Sequence, residues 1–418
     1  RVSAPARCPR RSSMAETAQR RAREAQGIAL AATANAALRE AETDRTDTSR
    51  MRLARPQRCY VCKAPYTAVH AFYAALCPAC ADFNLARRTQ SADLTGRYFL
   101  LTGARIKIGF EIALKLLRAG ATVVATTRFP HDAARRFAAV SDHAAWADRL
   151  RLVGLDLADI PRVERFARDL AATLPRLDGV LNNAAQTVWR PPDFYAALHA
   201  REALARDQLP PAERALLADE LSAHPAGVLA PGEGLARGSA LFPAGSDDGF
   251  GQPLDLRATN SWRLRLGEVS TREALSCYAV NALAPFVLLN ALRPRMAADR
   301  AADKWVVNVS AVEGQFARWH KTPRHPHTNM AKAALNMLTR TAADDWAHDR
   351  IYMTAVDTGW VSNENPWGIA EGMARKGFQT PLDEVDGAAR VLDPVFQGAR
   401  SGQNVWGVFL KDYKAAAW

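Results

Sequence analysis

The chain has 418 residues, 48% of them apolar, and a formal charge of +12. That is enough for one large core and a small satellite; no continuously apolar run exceeds about ten residues, so the sequence reads as soluble rather than membrane-spanning. The charge by itself identifies no partner, because residues 1–58 hold more than half of it in runs such as RCPRR and QRRAREAQ.

Residues 1–58 mix these arginines with Ala, Thr and acidic residues and keep no lasting 3.6 period, so a disordered or partly helical basic tail is expected there. A nucleic-acid or membrane-surface arm is the minority reading, and nucleic acid and membrane are not the expected partners. Neither end shows the basic, apolar and small-residue succession of a signal peptide, which points to the cytoplasm.

Residues 59–90 contain Cys59-x2-Cys62 and Cys77-x2-Cys80, with fourteen residues between the pairs. Each pair can set two thiolates on a tight turn around one tetrahedral ion. Four thiolates fill a zinc shell, so Cys59, Cys62, Cys77 and Cys80 predict a structural zinc in a small zinc-ribbon-like module. No secretory context favours disulfides instead. The module is expected to be separable, with the core of the main domain starting after residue 90. Cys277, one helical turn before Asn281, has no such partner and reads as a small core residue.

From 92 to 418 strand-like and helix-like segments alternate. YFLLTG, GFEIALKLLRAG and TVVATT make a βαβ unit whose glycine-containing turn aims backbone N–H groups and a helix N-terminus at a pyrophosphate. Further strands are expected at LRLVGLDL, LDGVLNNAA, KWVVNVSA and IYMTAVDTG. The fold class is therefore α/β, a doubly wound parallel sheet. At about 188–270 an insertion interrupts the pattern, predicted as two short helices followed by a long Gly/Pro-rich loop. Ligands in such sheets sit beyond the carboxyl ends of strands, where the insertion begins. It is read as a substrate lid, with a partner surface or a neutral elaboration as the alternatives. The stretch RHPHTNMAKAALNMLTRTAADDWA, 324–347, predicts an apolar helix bearing Lys332, with Thr328 one turn earlier on the same face.

In this order the segments resemble the short-chain dehydrogenase/reductase family over roughly 92–418, the insertion apart. The family's T-G-x3-G-x-G appears as Thr102, Gly103 and Gly109, with Lys107 in place of the middle glycine. Its Asn-Asn-Ala-Gly appears as Asn182, Asn183, Ala184 and Ala185; its helix asparagine matches Asn281, its serine Ser310 and its lysine Lys332. The resemblance implies a Rossmann-like fold and an oxidoreductase acting on a carbonyl or alcohol. Ser310 would polarise the substrate oxygen, Lys332 hold the nicotinamide ribose, and Asn281 keep its helix and a relay water in place. Asp156 would lie near the adenine and Thr358 near the nicotinamide carboxamide. Thr328 stands where the family has its catalytic tyrosine. A threonine hydroxyl is a far weaker acid and a shorter side chain, so His320, His325, His327 and Tyr278 are candidate substitute donors.

In this fold the tip of the second strand meets the adenosine ribose, where a carboxylate suits NAD and a cation suits NADP. The tip here is ATTRFP, and Arg128, with Arg105 and Lys107 in the preceding turn, favours NADP. Two functions follow: an NADP-dependent oxidoreductase on a small-molecule substrate, or a catalytically weak NADP-binding scaffold that meets a macromolecule through its zinc module and insertion. A protein partner and a homo-oligomer stay open.

Overall fold

The computed structural model describes residues 52–218, 221, 240–243 and 245–418. The expected tail lies outside them up to residue 51, but its last part is corrected: Arg52–Arg58 is strand β1, antiparallel to β2 (Pro65–Ala68). The strand is exposed on both faces and so carries no apolar alternation for sequence reading to detect. Helix α1 (Pro78–Thr89) follows, with Pro78 opening its first turn, where the missing N–H costs nothing.

The main sheet then starts with β3 (Tyr98–Thr102), α2 (Lys107–Arg118), β4 (Thr122–Thr127), α3 (Pro130–Ala138), β5 (Leu150–Gly154), α4 (Ile160–Thr173) and β6 (Gly179–Asn182). Short helices α5 (Ala196–Glu202) and α6 (Pro211–Arg214) belong to the insertion. Next come α7 (Thr271–Tyr278), a π turn over Ala279–Leu283, α8 (Ala284–Ala297), β7 (Lys304–Ser310), α9 (Pro326–Ala347) and β8 (Ile351–Asp357). The chain closes with α10 (Trp367–Arg375), α11 (Glu384–Ser401), β9 (Phe409–Lys411) and β10 (Lys414–Ala416).

The sheet order is β10-β9-β8-β7-β6-β3-β4-β5, parallel except where β10 returns on β9. The near-continuous apolar runs of β3, β4 and β7 are what strands covered on both faces require. One face carries α2, α3 and α11, the other α4, α8 and α9. Helices α7 and α8 with the π turn make a 27-residue segment apolar enough by length and composition to cross a membrane. Asn281 and Asn290 interrupt its apolar runs, and Leu288, Leu289, Leu292 and Met296 are buried in the α4 face of the core.

The module does not stand apart from this core. Arg88 of α1 is 2% exposed and donates to Asp383 at 2.5 Å and Asp386 at 2.9 Å, at the start of α11. The Tyr73 hydroxyl donates to the same Asp386 oxygen at 2.5 Å. Tyr73, Phe72 and Leu76 share an apolar cluster with Val361 and Leu382. The expectation of a separable module is therefore corrected: its removal would leave two buried carboxylates without their cation.

The insertion's two predicted helices are present as α5 and α6, both packed on α3, and Leu217 bridges to Leu152 at the β5 edge. Most of its Gly/Pro-rich loop, at 222–239, lies outside the described residues. Its end returns to the domain. Asp255 takes ion pairs from Arg190 and Arg257, and Asn260 donates to the Glu364 carbonyl at 2.9 Å.

Candidate active site

A cleft of about 1570 Å³ opens at the carboxyl ends of the parallel strands, and Gly103, Arg105, Lys107, Gly109, Arg128, Asp156, Ser310, Thr328, Lys332 and Thr358 all line it. At its β3 end the turn is built for close approach. Gly103 has φ +73°, and a Cβ there would meet Ala184 Cα at 2.8 Å; a Cβ on Gly109 would lie 2.0 Å from the Gly103 carbonyl oxygen. Thr102 and Asn182 are buried behind the wall rather than on it. The Thr102 hydroxyl accepts from the Asn183 and Ala184 N–H groups at 3.1 and 3.0 Å, and the Asn182 amide donates to Asn308. They shape the floor of the cleft. The N-terminus of α2 faces into it, with Lys107, Ile108 and Gly109 among the lining residues, which suits an anion.

Lys107 adopts φ +56°, a left-handed conformation that costs a non-glycine residue roughly 1 kcal/mol. The position thus keeps the backbone shape that a glycine would adopt freely, and its ammonium turns to Asp248 at 3.7 Å.

The positive cluster is only partly as expected. Arg105 is 7% exposed and pairs with Asp132 at 2.8 Å, a carboxylate that Arg135 and Arg136 also share. Its charge, and in part that of Lys107, is answered within the protein, so the expectation of three uncompensated cations is corrected to one. Arg128 lines the cleft, donates to the Tyr195 hydroxyl at 2.8 Å, stacks over that ring at 4.6 Å and makes no ion pair among the described residues. Asp156 also lines this end.

At the other end Ser310, Thr328 and Lys332 come together on the cleft wall from β7 and α9. Lys332 Nζ donates to the Val309 carbonyl at 2.7 Å, and burial pushes its pKa down to about 8. Ser310 donates to Asn336 Oδ1 at 2.6 Å, while Asn336 Nδ2 is buried with no partner. Asn336 lies one turn beyond Lys332, so its position on the shared face was readable, yet sequence reading passed over it.

Asn281 lies inside the π turn and holds the Gln186 backbone at both ends, accepting from its N–H at 2.7 Å and donating to its carbonyl at 3.1 Å. Its amide also donates to Cys277 at 3.2 Å, and the side chain thus clamps the loop after β6. Cys277 is buried as expected, 3.9 Å from the Thr328 hydroxyl.

None of the four expected substitute donors lines the cleft. His325 stacks on Trp262 with ring centroids 4.0 Å apart, and burial pushes its pKa down to about 4, so it is neutral at physiological pH. His327 is buried against Glu273 at 3.4 Å, and His320 and Tyr278 face solvent.

Several cleft residues were missed. Glu313, three residues after Ser310, lines the cleft, and burial raises its carboxyl above the usual range. Asp357 at the tip of β8 accepts from the N–H groups of Gly359 at 2.7 Å and Val312 at 2.8 Å, fixing the loops after both β8 and β7. Thr358 lines the cleft in the first of these. Trp189 and Arg190, from the insertion, also line the cleft. Tyr60 and Lys63 reach it from the cysteine module, which nothing in the local sequence announces.

The four sulfurs of Cys59, Cys62, Cys77 and Cys80 lie within 4.8 Å of one another, with Cys62 and Cys77 3.7 Å apart. A tetrahedral ion with bonds of about 2.3 Å sets its sulfurs about 3.8 Å apart, so the cluster has the dimensions of a four-thiolate metal site.

A family model described as short chain dehydrogenase matches residues 97–201, and one described as enoyl-(acyl carrier protein) reductase matches 258–385. The chain belongs to the short-chain dehydrogenases/reductases and is an oxidoreductase of that class. It is 31% identical over 360 residues to an uncharacterised protein of Acanthamoeba polyphaga mimivirus, covering 83% of this chain and 73% of that one. It is also 31% identical, over 99 residues, to a hydroxynaphthalene reductase-like protein of Metarhizium robertsii, covering 24% of this chain and 36% of the relative. Among solved structures, the carbonyl reductase Sniffer of D. melanogaster aligns over 78% of this chain and 100% of its own, at 15% identity and a TM-score of 0.48.

Proposed function

We propose that the protein is an NADP-dependent oxidoreductase that interconverts a carbonyl and an alcohol. The observation that carries this reading is a single cleft with Arg128 at one end and Ser310, Thr328 and Lys332 at the other. In the sheet order, β4 and β8 are four strand spacings apart, about 19 Å at 4.8 Å each, room for an extended dinucleotide. The tight Gly103 and Gly109 contacts leave the backbone at the α2 N-terminus open to a pyrophosphate. Arg128, stacked on Tyr195 and in no ion pair among the described residues, suits a 2′-phosphate.

When bound, NADPH supplies a hydride to the carbonyl carbon. The chain's own residues handle the oxygen and the proton. Turning the Asn336 amide end for end would pair its Nδ2 with the Ser310 oxygen and free the serine proton for the substrate carbonyl. Lys332, with its pKa at about 8, delivers the proton through the Thr328 hydroxyl one turn away. Trp189 and Arg190 make the insertion part of the cleft wall. The four cysteines hold a structural zinc, since four thiolates leave no open position for chemistry. The scaffold reading is weaker, because a pure nucleotide sensor has no use for a serine, threonine and lysine gathered on one cleft wall.

Calorimetric titration tests the cofactor assignment. NADPH should bind at least about tenfold more tightly than NADH, a difference of about 1.4 kcal/mol, and Arg128→Asp should narrow or invert that preference. Equal affinities in the wild type would sink the assignment.

A further inference from the structure

The cysteine module ends in the cleft. The two residues between Cys59 and Cys62 are Tyr60 and Val61, and a Cys-x2-Cys turn wrapped round an ion fixes the direction of both. The turn is held by Cys59 N–H to the Ala64 carbonyl at 2.9 Å and Tyr60 N–H to the Ala75 carbonyl at 2.9 Å. From it the Tyr60 side chain reaches the loop after β8, where its hydroxyl accepts the Trp360 N–H at 2.8 Å. Lys411 of β9 lies over the Tyr60 ring at 5.7 Å, and Tyr60, Lys63 and Lys411 all line the cleft.

This loop is the one Asp357 ties to the segment following Ser310, and it stands at the β8 tip, far from Arg128 in the sheet order. Tyr60 therefore acts at the reacting end of the cleft, away from the 2′-phosphate end.

We infer that the metal module is a wall of the nucleotide cleft, and that metal bound by the four cysteines sets affinity for the nicotinamide half of the cofactor through the Tyr60 hydroxyl on the Trp360 N–H. Tyr60 is a positioning residue in this scheme. The inference rests on the nucleotide reading above. It gives the module a purpose beyond folding, because a purely structural ion would affect both halves of the cofactor alike.

The test uses the full chain and two probes: NADPH, and adenosine 2′,5′-bisphosphate, which carries the 2′-phosphate end without the nicotinamide. As purified, the protein should contain about one zinc per chain. Tyr60→Phe should keep that metal and bind the bisphosphate like the wild type, yet bind NADPH roughly three- to tenfold more weakly, the worth of one net hydrogen bond. Wild-type protein stripped of metal by a chelator should show the same split, with a larger loss for NADPH. No change in Tyr60→Phe, or an equal loss for both probes, overturns the inference while leaving the nucleotide reading standing. Metal-free protein that binds NADPH at full affinity overturns the metal limb. A wild type that binds neither probe overturns the nucleotide reading and the inference with it.

Discussion

Lys332→Ala is expected to lower carbonyl reduction by roughly 10²–10⁴-fold, the range that a positioned acid contributes. The ammonium is buried on α9 and bonded to the Val309 carbonyl, and burial has brought its pKa to about 8. An ordinary lysine, near 10.4, would be a poor match for proton transfer at neutral pH. The sign of the pH dependence follows. Reduction consumes the charged form, so its rate should be level below about pH 8 and fall about tenfold per unit above it. Alcohol oxidation needs the neutral amine and should rise through the same value. Steady-state rates in both directions across pH 6–10 check this, with Lys332→Ala abolishing the titration. A substitution that costs less than about threefold would remove Lys332 from the proton path.

The second large effect is on stability. Arg88→Leu should destabilise the fold by about 3–5 kcal/mol, because it strands Asp383 and Asp386 in a buried site. Asp383 also caps α11, accepting the Asp386 N–H at 3.0 Å, so the loss falls on the helix start that joins module to domain. Burial already pushes the Asp386 carboxyl upward. In the variant the Asp386 carboxyl would be raised further, and a group whose folded pKa is raised contributes stability at low pH that is lost as pH rises through that value. Arg88→Leu should therefore lie closest to wild type near pH 4–5 and farthest from it at pH 8, as urea unfolding will show. A loss below about 1 kcal/mol at pH 8 would mean that the module and domain are not coupled through this cluster.

Much of the fold was legible because its signals are local. The apolar runs at 98–102, 122–127, 150–154, 179–182, 304–310 and 351–357 each became a strand of the parallel sheet. Gly103 and Gly109, Ser310, Thr328 and Lys332 were found for the same reason, since strand tips and single helical turns fix where such residues face. What failed was non-local. Arg105 and Lys107 read as free cations because Asp132 and Asp248 meet them only in the folded chain. The contact of Asn281 with the Gln186 backbone joins residues 95 apart, and the π turn that carries Asn281 leaves no periodic signal. The histidines near α9 looked like donors by proximity in sequence, but one stacks on Trp262 and another faces Glu273. The separability of the module looked safe because the contact from Arg88 to Asp383 joins opposite ends of the chain, beyond the reach of periodicity or spacing.

The central claim is that this cleft transfers hydride and proton between NADPH and a carbonyl with Thr328 in place of a phenol. It is tested most directly by single-turnover reactions of NADPH deuterated at the nicotinamide C4 with a panel of aldehydes, ketones and quinones, using the wild type and Thr328→Tyr side by side. The account predicts deuterium on the carbinol carbon of at least one carbonyl product with the wild type, and a changed rate when the phenol is placed one turn from Lys332. Saturating NADPH binding with no deuterium transfer by either protein, on any member of the panel, would contradict it.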